Sequence, residues 1–181
     1  MIDETGRAVL ADFGLVALIP DQSTFLSTCL EGGTIQWMSP ELLDPEKSGL
    51  QKGRLTMESD CYALGMVIYE VLSGQAPFPA YSSFTTLYKV LDGERPERPQ
   101  GEAGKLFTDG IWNMVEDCWK TKPSERITAK DILQGLEGKP YPSRSPSDLN
   151  EGVVEADADD QPDDTASESS RMFSLLWSRL I

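Results

Sequence analysis

Ser59-Asp-Cys-Tyr-Ala-Leu-Gly-Met-Val-Ile-Tyr-Glu-Val-Leu-Ser-Gly74 is the stretch whose reading decides the fold. Ser59 has the chemistry of an N-cap, because a hydroxyl there accepts from an unpaired amide of the first turn. Gly74 suits the left-handed position just past a helix end, and Pro77 and Pro79 prevent a restart. Glu70 is the only charge after Asp60, and apolar residues fall on every face. Together these predict a helix buried all round. The run falls short of the roughly 20 apolar residues that span a bilayer, so it reads as the central helix of a water-soluble core. Gly65 costs about 1 kcal/mol against Ala in a helix interior, which predicts a segment packed on its bare backbone. Asp60 is either a buried charge held by amides or a cation, or an exposed acid favouring the helix dipole.

Outward from this helix, the 181 residues suffice for one domain with a real core. A net charge of −14 argues against nucleic acid, whose binders carry basic patches. Residues 142–170 hold nine acids and one base and no aromatic residue, so they read as an acidic disordered tail. The fold is therefore expected within residues 1–141. Cys29, Cys61 and Cys118 are far apart and there is no histidine, which gives no support for a zinc site. Sparse cysteines without a signal peptide suggest a reducing, cytoplasmic (intracellular) setting. The lack of histidine removes the commonest general base and every Ser-His or Cys-His pairing. No transmembrane stretch is visible.

The coarse order of elements reads as mostly α. Arg7–Ala11 predicts a short strand, with Asp12-Phe-Gly14 at its end and a long Ser/Thr-rich loop over residues 15–33. Ser39-Pro-Glu41 starts a short helix that ends by Leu43-Asp-Pro45, and residues 46–58 read as a loop. A helix over Ser83–Asp92 is expected to bury Phe84, Leu87, Tyr88 and Leu91, at i, i+3, i+4, i+7. Thr108 caps another, with Ile111, Trp112, Val115, Cys118 and Trp119 on one apolar face and Lys122-Pro123 at its end. A last helix opens at Thr128, which has capping-box spacing to Asp131 and a staple pair in Ile127 and Ile132, and closes at Gly138. Residues 171–181 place Phe173, Leu176, Trp177 and Leu180 at helical spacing, a short amphipathic segment able to meet a groove or membrane surface, or to dock on the domain or stay disordered.

The order of motifs carries more than any one of them: Asp12-Phe-Gly14, Gly33-Thr-Ile-Gln-Trp-Met-Ser-Pro-Glu41, Ser59-Asp60 with Gly65, then Cys118-Trp119, Pro123 and Arg126. This series resembles the C-terminal lobe of the eukaryotic protein kinase domain over residues 1 to about 138. The Trp-Met-Ser-Pro-Glu and Cys-Trp-x3-Pro-x2-Arg patterns look most like the tyrosine-kinase-like group. The resemblance implies ATP and Mg2+ as cofactors, with Asp12 as the carboxylate holding the metal that bridges the phosphates. It implies an activation segment over residues 15–38, with Ser23, Thr24, Ser27 and Thr28 as phosphorylation candidates. Thr34 matches the substrate-docking loop. Glu41 and Arg126 match a structural ion pair, and Asp60 an acid that accepts from catalytic-loop amides.

The departures from the family pattern carry equal weight. These 181 residues contain no Gly-x-Gly-x-x-Gly, no phosphate-pairing Lys with its helical Glu, and no His-Arg-Asp catalytic loop. One metal-binding Asp cannot supply the positioning and charge stabilisation on which phosphoryl transfer depends. The expectation is a truncated kinase lobe, inactive alone and poorly stable unless another polypeptide covers the face that Asp60 serves. The alternative is a non-catalytic, pseudokinase-type module that binds protein partners. Substrate, hydroxyl preference and oligomeric state are not legible.

Overall fold

The computed structural model describes Glu4 and residues 34–138. The strand at Arg7–Ala11, the Asp12-Phe-Gly14 motif, the loop hydroxyls Ser23, Thr24, Ser27 and Thr28, the acidic tail and the 171–181 segment lie outside the described residues. Within them the only regular structure is helical. A 3-10 turn at Ile35–Trp37 precedes α1 (Pro40–Leu43), α2 (Met57–Ser73), α3 (Ser83–Leu91), α4 (Gly101–Gly104) and α5 (Asp109–Cys118). A second 3-10 turn at Pro123–Glu125 and α6 (Ala129–Leu136) follow. The chain divides into two compact units, one of residues Asp12–Thr128 and one joining Met1–Ala11 to Ala129–Ile181.

Helix α2 organises the larger unit. Its start differs from the expectation: it begins two residues before Ser59, and Thr56 is the N-cap. The Thr56 hydroxyl accepts from the Ser59 amide at 3.2 Å, while the Ser59 hydroxyl accepts from the Thr56 amide at 2.9 Å. This is a reciprocal capping box with Ser in place of Glu or Gln. Ser59 thus serves at the third position, where its short side chain reaches back as readily as it would have capped. The other end is as read, with Gly74 left-handed at φ 70° and its amide on the Glu70 carbonyl.

Burial along α2 is uneven. Ser59, Cys61, Tyr62, Leu64, Gly65, Met66, Ile68 and Tyr69 are buried, but Val71 is 42 % exposed. The all-round burial therefore stops near Tyr69. Gly65 has the close neighbour that its cost implied: a Cβ built there would stand 2.6 Å from Cys118 Cβ and 2.8 Å from Trp119 Nε1. The absence of a side chain lets α5 lie directly on α2. Tyr69, Phe107, Trp112 and Trp119 then form a chain of tilted and edge-on rings with centroids 5.7–6.0 Å apart. Such pairs add about 0.5–1.5 kcal/mol each beyond their buried area.

Two helix faces depart from the expected stripes. In α3 the buried residues are Thr86, Leu87 and Val90, whereas Phe84 and Tyr88 are 60 % and 54 % exposed. The two rings meet edge-on at 5.0 Å, so i, i+4 spacing pairs them on the outside of the helix rather than in the core. In α5, Val115, Cys118 and Trp119 are buried as read and Met114 joins them, while Ile111 and Trp112 are half-buried. Helix α5 ends at Cys118, before Lys122-Pro123. In the second unit α6 runs from Ala129 to Leu136 with Ile132 fully buried, and Gly138 follows at φ 71°.

Candidate functional site

The segment from Thr34 to Glu41 is where the described residues gather the motif positions. Thr34 heads the 3-10 turn, its carbonyl accepting from the Trp37 amide at 3.1 Å. Ile35 is buried at the centre of that turn. The Trp37 indole N–H donates to Glu70 Oε2 at 3.1 Å, which explains the single acid in the second half of α2. Pro40 occupies the first helical position of α1 behind Ser39, as its fixed φ favours. All four residues of α1 are buried.

Glu41 and Arg126 form the strongest polar contact in the described structure. Arg126 Nη1 donates to Glu41 Oε1 at 2.6 Å and Nη2 to Oε2 at 2.7 Å, a fork-to-fork pair between side chains almost wholly removed from water. The remaining three donors are also used. Nε meets the Lys120 carbonyl at 2.9 Å, Nη1 meets Glu58 at 2.9 Å and Nη2 meets Thr121 at 3.3 Å. All five guanidinium N–H groups are therefore occupied. Burial pushes the Glu41 carboxyl up, but the hydrogen bonds and charge of Arg126 outweigh it and hold the group below its usual value. The pair ties the end of the Thr34–Glu41 segment to the start of α2 and to the turn after α5.

A second cation in this region gave no sequence signal beyond its place in a Gly-Glu-Arg-Pro break. Arg95 donates through Nε to the Trp119 carbonyl at 2.9 Å and through Nη1 to Val90 and Glu94 carbonyls at 3.2 and 2.7 Å. The Arg95 and Arg126 guanidinium carbons lie 5.3 and 5.1 Å from the centroid of the Tyr62 ring, so one buried phenol ring faces two cations. Burial dominates the Tyr62 hydroxyl and pushes its pKa up to about 12. Among the described residues that hydroxyl has no hydrogen-bond partner. Arg95 and Tyr62 thus brace the same corner that Arg126 holds.

Asp60 is half-buried, between its two sequence readings. Burial raises its carboxyl above the usual value, and no described residue donates to it. Cys118, fully buried, has its thiol pushed well up, first by burial and then by Cys61. Among the described residues no cluster of three His, Cys, Asp or Glu side chains could hold a metal ion. A cleft of about 280 Å³ is lined by Arg95, Pro96, Trp112, Glu116, Trp119 and Lys120, with Arg95 committed to carbonyls and Lys120 to Asp117 at 3.3 Å. What the described site can do chemically is hold the Thr34–Glu41 segment in one shape.

A helical lobe with a buried acid of a Pro-Glu turn locked to an arginine beyond the last core helix defines a class: the C-terminal part of a protein kinase domain. The sequence profile described as "Protein tyrosine and serine/threonine kinase" matches residues 1–136, and the chain belongs to that family. It is 28 % identical over 145 residues to a putative serine/threonine-protein kinase/receptor of Acanthamoeba polyphaga mimivirus, covering 80 % of this chain and 8 % of that protein. It is 30 % identical over 138 residues to the probable serine/threonine-protein kinase drkA of Dictyostelium discoideum, covering 76 % of this chain and 19 % of that protein. The human proto-oncogene tyrosine-protein kinase ROS is 33 % identical over 104 residues, which is 57 % of this chain and 4 % of that protein. The chain thus spans less than a fifth of the length of each of these relatives.

Proposed function

We propose that these residues form the substrate-docking half of a protein kinase domain, serving transfer of the γ-phosphate of ATP to a protein hydroxyl, and that the 181 residues alone do not carry out the transfer. The observation that supports the reading is the buried Glu41–Arg126 pair, which fixes the Thr34–Glu41 segment against the helical scaffold. Rigid docking of the acceptor polypeptide is one of the two contributions phosphoryl transfer needs, the other being charge stabilisation at the phosphates. ATP and Mg2+ enter by family membership, with Asp12 as the residue that would hold the metal. Buried thiols at Cys61 and Cys118 that form no disulfide support a reducing, cytoplasmic compartment. Among the described residues no helix is long and apolar enough to cross a membrane.

The test is a phosphotransfer assay on the full chain with Mg-ATP and a mixed Ser/Thr/Tyr protein substrate, read by mass spectrometry, beside thermal melting with and without Mg-ATP. The expected result is no phosphate transferred and no shift in melting. Transfer that disappears in Asp12→Ala would overturn the inactive reading. A second reading, a non-catalytic module that recruits protein partners, is favoured by the exposed apolar side chains of α3 and of the loop before α2. Binding of a protein partner by the chain without nucleotide, unaffected by Asp12→Ala, separates it from the first.

A further inference from the structure

Residues 50–57, Leu-Gln-Lys-Gly-Arg-Leu-Thr-Met, run between two anchored ends without regular secondary structure until α2 begins. At one end the Leu50 amide meets the Pro45 carbonyl at 2.8 Å and Gly49 takes a left-handed turn. At the other stands the Thr56–Ser59 capping box. Leu50, Leu55 and Met57 are 43 %, 50 % and 53 % exposed, an unusual density for one short stretch. Lys52 and Arg54, exposed between them, engage no acid and no carbonyl. Every other lysine or arginine in residues 34–128 does: Lys47, Lys89, Arg98, Lys105, Lys120, Lys122 and Arg126 pair with acids, and Arg95 with carbonyls. In a chain of net charge −14, the two uncommitted cations of this part fall together among three exposed apolar side chains, and the stretch itself contains no acid.

We infer that residues 50–57 are a docking surface for an acidic peptide segment that carries apolar side chains, supplied by a partner protein. Charge complementarity identifies the occupant. Lys52 and Arg54 offer donors to carboxylates at the rim, and Leu50, Leu55 and Met57 offer area that water leaves on contact. An anionic bilayer shares the sign of the peptide, but a chain with fourteen excess acids is repelled from such a surface. The anchored ends lower the ordering cost of binding. The surface lies on the α1–α2 connection, apart from the Thr34–Glu41 segment in sequence, so it adds a contact rather than redescribing that one.

The experiment uses the full 181-residue chain and a fluorescein-labelled 16-residue peptide in which Asp and Glu alternate with Leu and Phe, read by fluorescence anisotropy. Saturable binding is expected, with Lys52→Glu/Arg54→Glu weakening it at least about fivefold and Leu50→Ser/Leu55→Ser weakening it as well. Helical circular dichroism of both variants should match the parent. Lys105→Glu/Lys122→Glu, equal in charge change but elsewhere, should leave binding within about twofold. Binding should fade as salt is raised from about 0.1 M, where the screening length is roughly 10 Å, to about 1 M, where it is roughly 3 Å. Three results would overturn the inference: unchanged affinity in the Lys52/Arg54 variant, equal binding of the same peptide with Lys replacing its acids, or adsorption to phosphatidylserine vesicles in preference to the peptide.

Discussion

Replacing Arg126 with Met leaves Glu41 as a carboxylate about 2 % exposed with its cation gone. Removing one partner of a buried pair typically costs about 3–5 kcal/mol, because the remaining charge is uncompensated. The carbonyls of Glu58, Lys120 and Thr121 lose a donor at the same time, which places the loss toward the upper end of that range. Total stabilities of domains are about 5–15 kcal/mol, so one substitution removes a large share. With a urea slope of about 2 kcal/mol/M, the unfolding midpoint followed by tryptophan fluorescence should fall by roughly 2 M. Glu41→Leu/Arg126→Met should recover much of it, since an apolar pair of similar volume strands no charge. Acid separates the cases further. The Glu41 carboxyl is held below its unfolded value of about 4.3, so its contribution is complete above that pH and is lost as pH falls through the lower, folded pKa. In Arg126→Met burial, the largest influence, is opposed only by the smaller backbone and Ser39 hydrogen bonds, so the folded pKa rises and the defect relative to the parent should narrow as pH falls. A midpoint change below about 0.5 M, or a double variant equal to the sum of the singles, would refute the argument.

Gly65→Ala should destabilise by about 1–3 kcal/mol despite Ala's better helix propensity, because the new Cβ meets Cys118 Cβ at 2.6 Å; an unchanged or raised melting temperature would show that α5 can back away. Thr56→Ala opens the capping box of α2 and should cost about 1 kcal/mol in urea unfolding. Tyr62→Phe removes a buried hydroxyl that has no partner among the described residues and should be neutral or stabilising in the same assay; a marked loss would reveal a partner for that hydroxyl. Asp60→Asn should raise stability at pH 7, because burial holds the folded carboxyl above its unfolded value. That gain should shrink as pH falls through the folded and then the unfolded pKa, where the parent acid is protonated in both states.

How much of this was written in the sequence depends on the kind of signal. Gly74, Pro40 and Thr108 act on the backbone beside them, and each ends or starts a helix where its chemistry places it. The Glu41–Arg126 pair, 85 residues apart, is implied only by the protein kinase resemblance, and no local pattern would have joined the two. Ser59 shows the limit of local reading: a hydroxyl near a helix start can serve as cap or as third-position partner, and only the presence of Thr56 three residues earlier decides. The α3 face failed for a different reason. Spacing specifies which side chains share a face, and burial then depends on where neighbours stand. Phe84 and Tyr88 share one with each other, while Thr86, Leu87 and Val90 face the core.

Asp60 joins these levels. As sequence it was an acid near a helix start, compatible with an exposed dipole partner or with a buried acceptor. As structure it is half-buried with its carboxyl raised by burial, and a dipole partner bathed in water would show no such rise. The contrast with Glu41 is direct: Glu41 is buried, meets a fork of donors and is held low, while half-buried Asp60 meets none from a described residue and is held high. A carboxylate kept in that condition lowers the stability of the lobe at neutral pH, and backbone or side-chain donors brought by another polypeptide segment would reverse the sign. The gain expected from Asp60→Asn in the chain alone should therefore become a loss once such a segment is supplied in trans as a synthetic catalytic-loop peptide. An Asn that remains the more stable form in its presence would show that Asp60 is not the acceptor on which assembly of this lobe depends.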